Sequence, residues 1–417
     1  MLLPNRRKLM QGSGALLAAA ALPSRLRAAA LPRVVVIGGG FAGATVAKYV
    51  RRWNPQIQVT LVEPNPAHVS CILSNLVMNG ALTMSDITLR YDTLRTKYGV
   101  SIVADRAVAI DPVARQVRTQ NGSRLPYDKL VLAPGIDFDA IPGLDSAVLP
   151  HAWQAGPQTL ALKAQLAAVP AGGSFVLAIP PAPYRCPPGP YERACLVADY
   201  LKRNRRAGKV IVLDANNDVV AEPHTFHTAF QTTYAGIVEY HPATVVEAVD
   251  WSARRIHTNW GPIQADAANI IPRQRAGQLL AASGLLGSDP ATRWAPVNPL
   301  SYESRLVPDV HVIGDSQGTG QPKSGHMANA QAKVCADALV RYFAGEAPDP
   351  APVTASACYS PITARTASWL TVVFAYDPVS GTMKPVPNTL AEAPAPSSEH
   401  YEGMFGWAKN LFADSFS

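Results

Sequence analysis

The sequence predicts an α/β protein built from two Rossmann-like dinucleotide-binding-type domains and a small C-terminal α+β domain. Three observations predict it. The run Arg33-Val34-Val35-Val36-Ile37 enters Gly38-Gly39-Gly40-Phe41-Ala42-Gly43 and then a helical stretch. A second buried-strand pattern, Ser174-Phe175-Val176-Leu177-Ala178-Ile179, opens another strand–loop–helix unit. A third, Asp309-Val310-His311-Val312-Ile313, returns far downstream, so the first domain is split by an insertion. The length of 417 residues accommodates two or three domains, and 48% hydrophobic with 16% charged residues excludes a disordered or fibrous chain. The 37 prolines point to many fixed loops rather than a helix bundle.

The N-terminus reads as an address. Asn5-Arg6-Arg7-Lys8-Leu9-Met10 is a twin-arginine start, followed by an apolar stretch from Gly12 to Pro23 and an A-x-A-like site at Ala28-Ala29-Ala30. Residues 1–30 are therefore expected to be a twin-arginine signal peptide, directing a protein with its cofactor already inserted to the periplasm. The apolar stretch is shorter than the ~20 residues a bilayer span needs, and no later segment is long enough, so no transmembrane segment is expected. The formal charge of +7 falls to +2 without Arg6, Arg7, Lys8, Arg25 and Arg27, so the basic balance gives no support to nucleic-acid binding.

In the first domain, expected over residues 31–145 and 266–345, Gly38, Gly40 and Gly43 form a G-x-G-x-x-G turn between a β-branched strand and a helix from Ala44 to Arg51. Glycine there lets the backbone approach a pyrophosphate at a helix N-terminus. A second strand, Ile57 to Val62, ends in Glu63, placed to accept from ribose hydroxyls. The fingerprint does not separate FAD from NAD. Two later segments favour FAD. Tyr127-Asp128-Lys129-Leu130-Val131-Leu132-Ala133-Pro134-Gly135 resembles the return strand of two-dinucleotide-domain flavoproteins, with Pro134 in place of their usual Thr. Asp309 to Asp315 resembles their late flavin strand, in which the residue matching Asp315 contacts the ribityl chain. Lys323 and Ser324 then start a helix running to about Tyr342, whose positive end would face the flavin.

The second domain, expected over 146–265, lacks a glycine turn. After its first strand comes Pro180-Pro181-Ala182-Pro183-Tyr184-Arg185-Cys186-Pro187-Pro188-Gly189-Pro190. Prolines offer no N–H and cannot cradle a pyrophosphate, so NAD(P)H is not expected to bind and a different electron donor is implied. The same loop introduces Cys186, and Glu192 six residues on begins the next helix as a nearby acid or base. Cys195 and Cys335 read as core residues inside helices. The absence of C-x-x-C and C-x-x-C-H excludes a thioredoxin-type pair and a covalent haem on this chain, and nine scattered histidines show no metal-ligand spacing.

Together these segments resemble the flavoprotein subunit of flavocytochrome c sulfide dehydrogenase, a relative of sulfide:quinone oxidoreductases with a glutathione reductase-like fold. The resemblance includes Ser70-Cys71-Ile72-Leu73-Ser74-Asn75, Cys186 to Glu192, Lys323-Ser324-Gly325, Ala357-Cys358-Tyr359-Ser360 and Gly406-Trp407-Ala408-Lys409-Asn410; Pro134 and His326 depart from it. It implies FAD bonded through sulfur at Cys71, a redox-active disulfide of Cys186 with Cys358, and Glu192 in the sulfide site. Sulfide would attack the disulfide, and two electrons would pass to FAD and then singly to haem c on a c-type cytochrome partner. Sequence alone does not pair Cys186 with Cys358.

Residues 346–417 are expected to form a C-terminal interface domain, with strands over 361–383, a Pro/Ala/Ser-rich connection from Pro385 to Ser398, and an aromatic helix from Tyr401 to Phe412. The resemblance implies that this module closes the cysteine site and helps present the flavin to the cytochrome. Two other readings use the same residues: a sulfide:quinone-reductase-like enzyme, for which the tail would be a membrane-docking element, and a non-catalytic flavoprotein that handles protein thiols in thiosulfate oxidation.

Overall fold

The computed structural model describes residues 31–204 and 206–417; the expected signal peptide lies outside them. In chain order the elements that position the site are β1 (Arg33–Ile37), α1 (Phe41–Trp53), β2 (Gln58–Val62), β3 (Ser101–Val103) and β4 (Lys129–Leu132). Then come β5 (Ser174–Ile179), α2 (Gly189–Arg203), β6 (Lys209–Asp214), β7 (Val238–His241) and β8 (Ala267–Ile270). The chain returns through β9 (Val310–Val312) and α3 (Gly325–Phe343), and ends with β10 (Val353–Pro361), β11 (Ala367–Asp377), β12 (Thr382–Pro385), β13 (Ala391–Glu392) and α4 (Ser398–Phe416).

The first sheet has the order β9-β4-β1-β2-β3 and is parallel throughout. Its strands are covered on both faces, which is why β1 and β4 read as unbroken apolar runs rather than alternating ones. α1 starts three residues before the expected Ala44, because Gly40 is its N-cap and every residue from Phe41 to Val50 is buried against the sheet, α3 and α4. The second sheet, β7-β6-β5-β8, is also parallel. It takes in β8, with Phe175 opposite Ala267 and Ala178 opposite Ile270. The expected boundary after residue 265 therefore falls too early. The four residues Ala-Ala-Asn-Ile carry no strand signature of their own, and pairing with β5 alone makes them a strand.

The C-terminal module is antiparallel, β10-β11-β12 with β13 also on β11, and α4 lies against it. Its strands begin at Val353, earlier than expected, which places Cys358 within β10 opposite Leu370. α4 runs longer than expected at both ends. Ser397 caps it by accepting from the His400 N–H at 3.0 Å, one of the N–H groups that the first turn leaves unpaired. Its last turn is tied down by Tyr49, which donates to Asp414 at 2.5 Å, and by Phe416, edge-on to Phe41 at 5.6 Å.

Candidate active site

The glycine turn is shaped as its sequence requires. Gly38 has φ +96°, and a Cβ there would lie 2.3 Å from the Ala133 carbonyl oxygen, a clash no side chain escapes. Gly43 sits in the first turn of α1 against the Gly38 carbonyl, and the face of Gly40 is open apart from His68. Glu63, just past β2, accepts from the Gly39 N–H at 2.8 Å and from Asn65, which fixes its carboxylate beside the turn.

The proline loop is built oppositely. Several of the N–H groups it retains already have protein partners: Ala182 donates to Asn216 at 2.9 Å, Arg185 to Gln274 at 2.8 Å and Cys186 to the Lys323 carbonyl at 2.7 Å. Cys186 is held at φ +58°, left-handed for a residue with a Cβ. Strain of this kind costs on the order of 1–3 kcal/mol and persists only where surrounding bonds fix it. Here the fixing bonds are the one to Lys323, a return bond from Gly189 to the Cys186 carbonyl at 2.9 Å, and Trp153 Nε1 donating to the Arg185 carbonyl at 3.1 Å. Gly189 also makes room for the thiol, since a Cβ there would sit 2.7 Å from Cys186 Sγ.

The outcome is one cavity of about 60 Å³ walled by Cys71, Cys186 and Cys358, with Glu192, Ser324 and the α3 N-terminus. Such a volume suits a few waters or a small ion rather than an organic substrate. All three cysteines are free thiols in the structure, and all three line this cavity. Burial pushes the Cys186 thiol well above its ordinary value and the Cys358 thiol up to about 12, with Cys358 and Glu192 adding to the effect on Cys186. Burial likewise raises Glu192 to about 8, against the opposing hydrogen bond from Asn75 Nδ2 at 2.9 Å. Cys195 and Cys335 are buried, as expected of core residues.

Of the remaining expected residues, Asp315 and Gly135 lie beside Arg185, which lines the cavity, and Lys323 directly precedes Ser324. Asp315 forms an ion pair with Arg185 at 2.6 Å, and the same guanidinium lies beside Gly135. Lys323 donates to the carbonyls of Asp315 and Gln317, at 2.8 and 2.9 Å, and stacks its ammonium over Trp294; burial lowers it to about 7. Ser324 caps α3 by accepting from Met327 at 3.1 Å and lies 3.1 Å from the Ser356 hydroxyl. Several residues at the site gave no signal of their own in the sequence. Arg193 donates to Asn75 at 2.9 Å and Asn269 at 2.7 Å, and so locks the α2 start to the Cys71 segment. Glu222, beside Ser360, is a second buried carboxyl.

Two parallel-sheet units, a glycine turn with a following acid, and cysteines gathered at a helix N-terminus define a flavin-dependent oxidoreductase of the two-dinucleotide-domain class. The family "Sulfide dehydrogenase (flavocytochrome c) flavoprotein chain, central" matches residues 159–272. "Flavocytochrome c sulphide dehydrogenase, flavin-binding" matches 350–416 and "Pyridine nucleotide-disulphide oxidoreductase" matches 32–167. The sulfide dehydrogenase flavoprotein chain of Chlorobaculum thiosulfatiphilum is 62% identical over 45 residues, 11% of this chain and 94% of that sequence. The sulfide-quinone reductase of Aquifex aeolicus is 35% identical over 103 residues, only 24% of either chain. The crystal structure of the Aquifex aeolicus sulfide:quinone oxidoreductase shares the fold, with a TM-score of 0.75 at 18% identity over 92% of this chain and 91% of that one. The chain belongs to the family of flavocytochrome c sulfide dehydrogenase flavoprotein chains.

The residues present fit FAD. The glycine turn leaves its face open at Gly40 apart from His68, Glu63 is set for a ribose, and Asp315 Oδ1 and His68 Nε2 are buried without a partner. Among the described residues no helix is long and apolar enough to cross a membrane.

Proposed function

We propose that the chain is the flavoprotein subunit of a periplasmic sulfide:cytochrome c oxidoreductase, in which Cys186 and Cys358 alternate between disulfide and thiol. The observation that carries this reading is the convergence of Cys71, Cys186 and Cys358, from three separate segments, on one small cavity with Glu192. Hydrosulfide attacks one sulfur of the pair; an S–S bond forms to the incoming sulfur and the Cys186–Cys358 bond breaks, leaving a persulfide and a thiolate. Burial makes that thiolate costly, as the raised thiols show, so it reacts onward or is protonated rather than persisting. Glu192, at about 8, holds its proton near the working range and exchanges it with the sulfur groups.

Bound FAD would supply a two-electron acceptor able to release electrons singly. Gly38, Gly40, Gly43 and Glu63 would hold its pyrophosphate and ribose. Gly135, Asp315, Lys323 and Ser324 would border the ring end, with Cys71 as the point of covalent attachment. The acceptor is a c-type cytochrome partner that carries the haem, and the twin-arginine leader delivers the assembled chain.

A quinone acceptor is the second reading, favoured by similarity to sulfide:quinone reductases. Against it, Met404, Ala408, Leu411 and Phe416 of α4 are buried within the protein rather than left free for a membrane. Two experiments test the proposal. Peptide mapping of oxidised holoprotein should find Cys186 joined to Cys358 and flavin on the Cys71 peptide. Turnover with sulfide should proceed with cytochrome c as acceptor. Turnover with a short-chain quinone alone favours the second reading, and no turnover with either leaves a thiol-handling role.

A further inference from the structure

The sulfide chemistry proposed for the cavity must give up a proton, and the face of the C-terminal sheet beneath Cys358 offers it a way out. Cys358 pairs with Leu370, and Leu370 with Glu392, so these three form one row across β10, β11 and β13. Two rows on, Ser360 pairs with Ser368. Residues opposite one another, and those two apart on a strand, share a face, so Cys358, Ser360, Ser368 and Glu392 all point the same way. Glu222 meets them there. It is 1% exposed and left-handed at φ +53°, and its Oε2 accepts from the Ser360 hydroxyl. Its Oε1 is buried without a partner, as is Glu392 Oε2, although Glu392 as a whole is half-buried at the edge strand.

Oxidising hydrosulfide to the sulfane level gives up one proton with two electrons: HS⁻ becomes S⁰, H⁺ and 2 e⁻. Over a full turnover, once both electrons have passed singly to the acceptor, that proton must leave the protein. We propose that Glu222 is the proton outlet of the cysteine cavity, taking this proton from the Cys358 side and passing it by way of Glu392 to solvent. The inference rests on the sulfide-reactive reading of the cavity given above. Glu222 acts through Ser360 and the Cys358 strand, and so is a relay and positioning residue. Its titratable neighbours are Glu192 and Cys195 on α2, Cys358 on β10 and Glu392 on β13, with His224 beside Glu392. Burial raises Glu222 to about 7, while its bonds to Ser360 and Ser368 pull the other way, so the group changes charge near neutrality.

The test follows anaerobic stopped-flow turnover of the holoenzyme with sulfide and cytochrome c from pH 6 to 9, at one constant hydrosulfide concentration, with the flavin spectrum recorded and an indicator dye reading proton release. Wild type should show an inflection near pH 7. Glu222→Gln, with wild-type flavin content, should react roughly tenfold more slowly and lose that inflection, because an amide cannot exchange a proton; Glu222→Asp should restore most of both. Glu392→Gln should delay the dye signal more than the flavin signal. Ser360→Ala, which keeps the carboxyl, should move the inflection to higher pH, since a bond that stabilises the carboxylate is gone. The proposal is overturned if Glu222→Gln keeps the wild-type inflection, whatever its rate, or, should that variant not fold, if Ser360→Ala leaves the inflection in place. A wild-type flavin that sulfide does not reduce at any pH overturns the underlying reading instead.

Discussion

The two parallel-sheet units share one plan: a buried strand, a loop and a helix whose N-terminus faces the ligand side. Their loops diverge completely. Gly38-Gly39-Gly40 frees backbone for a phosphate, whereas Pro187-Pro188-Gly189-Pro190 removes N–H donors and makes the bend rigid. Where the first loop holds a glycine at φ +96°, the second holds Cys186 at φ +58° and braces it. The fold supplies the same platform twice, and the residues of the turn decide whether it frees its backbone or braces a cysteine.

The largest effect should come from the second loop or its counterpart on β10. Cys186→Ser and Cys358→Ser should each keep flavin but slow its reduction by sulfide by more than about a thousandfold, as removal of a nucleophile does. Next, Glu192→Gln should slow the same step about a hundredfold and flatten its pH dependence around 8. That residue also gives a stability test. The Glu192 carboxyl titrates higher in the folded protein than in the unfolded chain, so its contribution is complete below the unfolded value and is lost as pH rises through about 8. The melting temperature of Glu192→Gln relative to wild type should therefore improve between pH 6 and pH 9.

In the first loop, Gly38→Ala forces a Cβ against the Ala133 carbonyl, an overpacking cost of about 1–3 kcal/mol; flavin content per chain should fall about tenfold by absorbance. Cys195→Ala should lower stability by roughly 1 kcal/mol through a small cavity and leave sulfide chemistry unchanged. Finally, millimolar NADH should leave the oxidised flavin spectrum unaltered; rapid bleaching would mean that the second platform still takes a nucleotide.

Much of this contrast was legible in the sequence, because each loop announces itself through residue types with strong backbone consequences. The glycine turn, the proline loop and β5 lie where their patterns place them. Less legible was anything set by distant pairing. β8 is a strand only because β5 lies beside it, and Cys358 falls mid-strand only because β10 pairs with β11. Arg193 and Glu222 left no local signal, since a buried polar residue looks like any surface one until its partners are known. Glu222 precedes Pro223 in what reads as an ordinary helix start.

The central claim is that Cys186 and Cys358 form the sulfide-reactive pair beside the flavin, and an anaerobic titration of the holoprotein with sulfide tests it most directly. The account predicts that near-stoichiometric sulfide bleaches the flavin of the wild type and leaves that of Cys186→Ser and Cys358→Ser oxidised, at equal flavin content. Wild-type bleaching in either serine variant would contradict it.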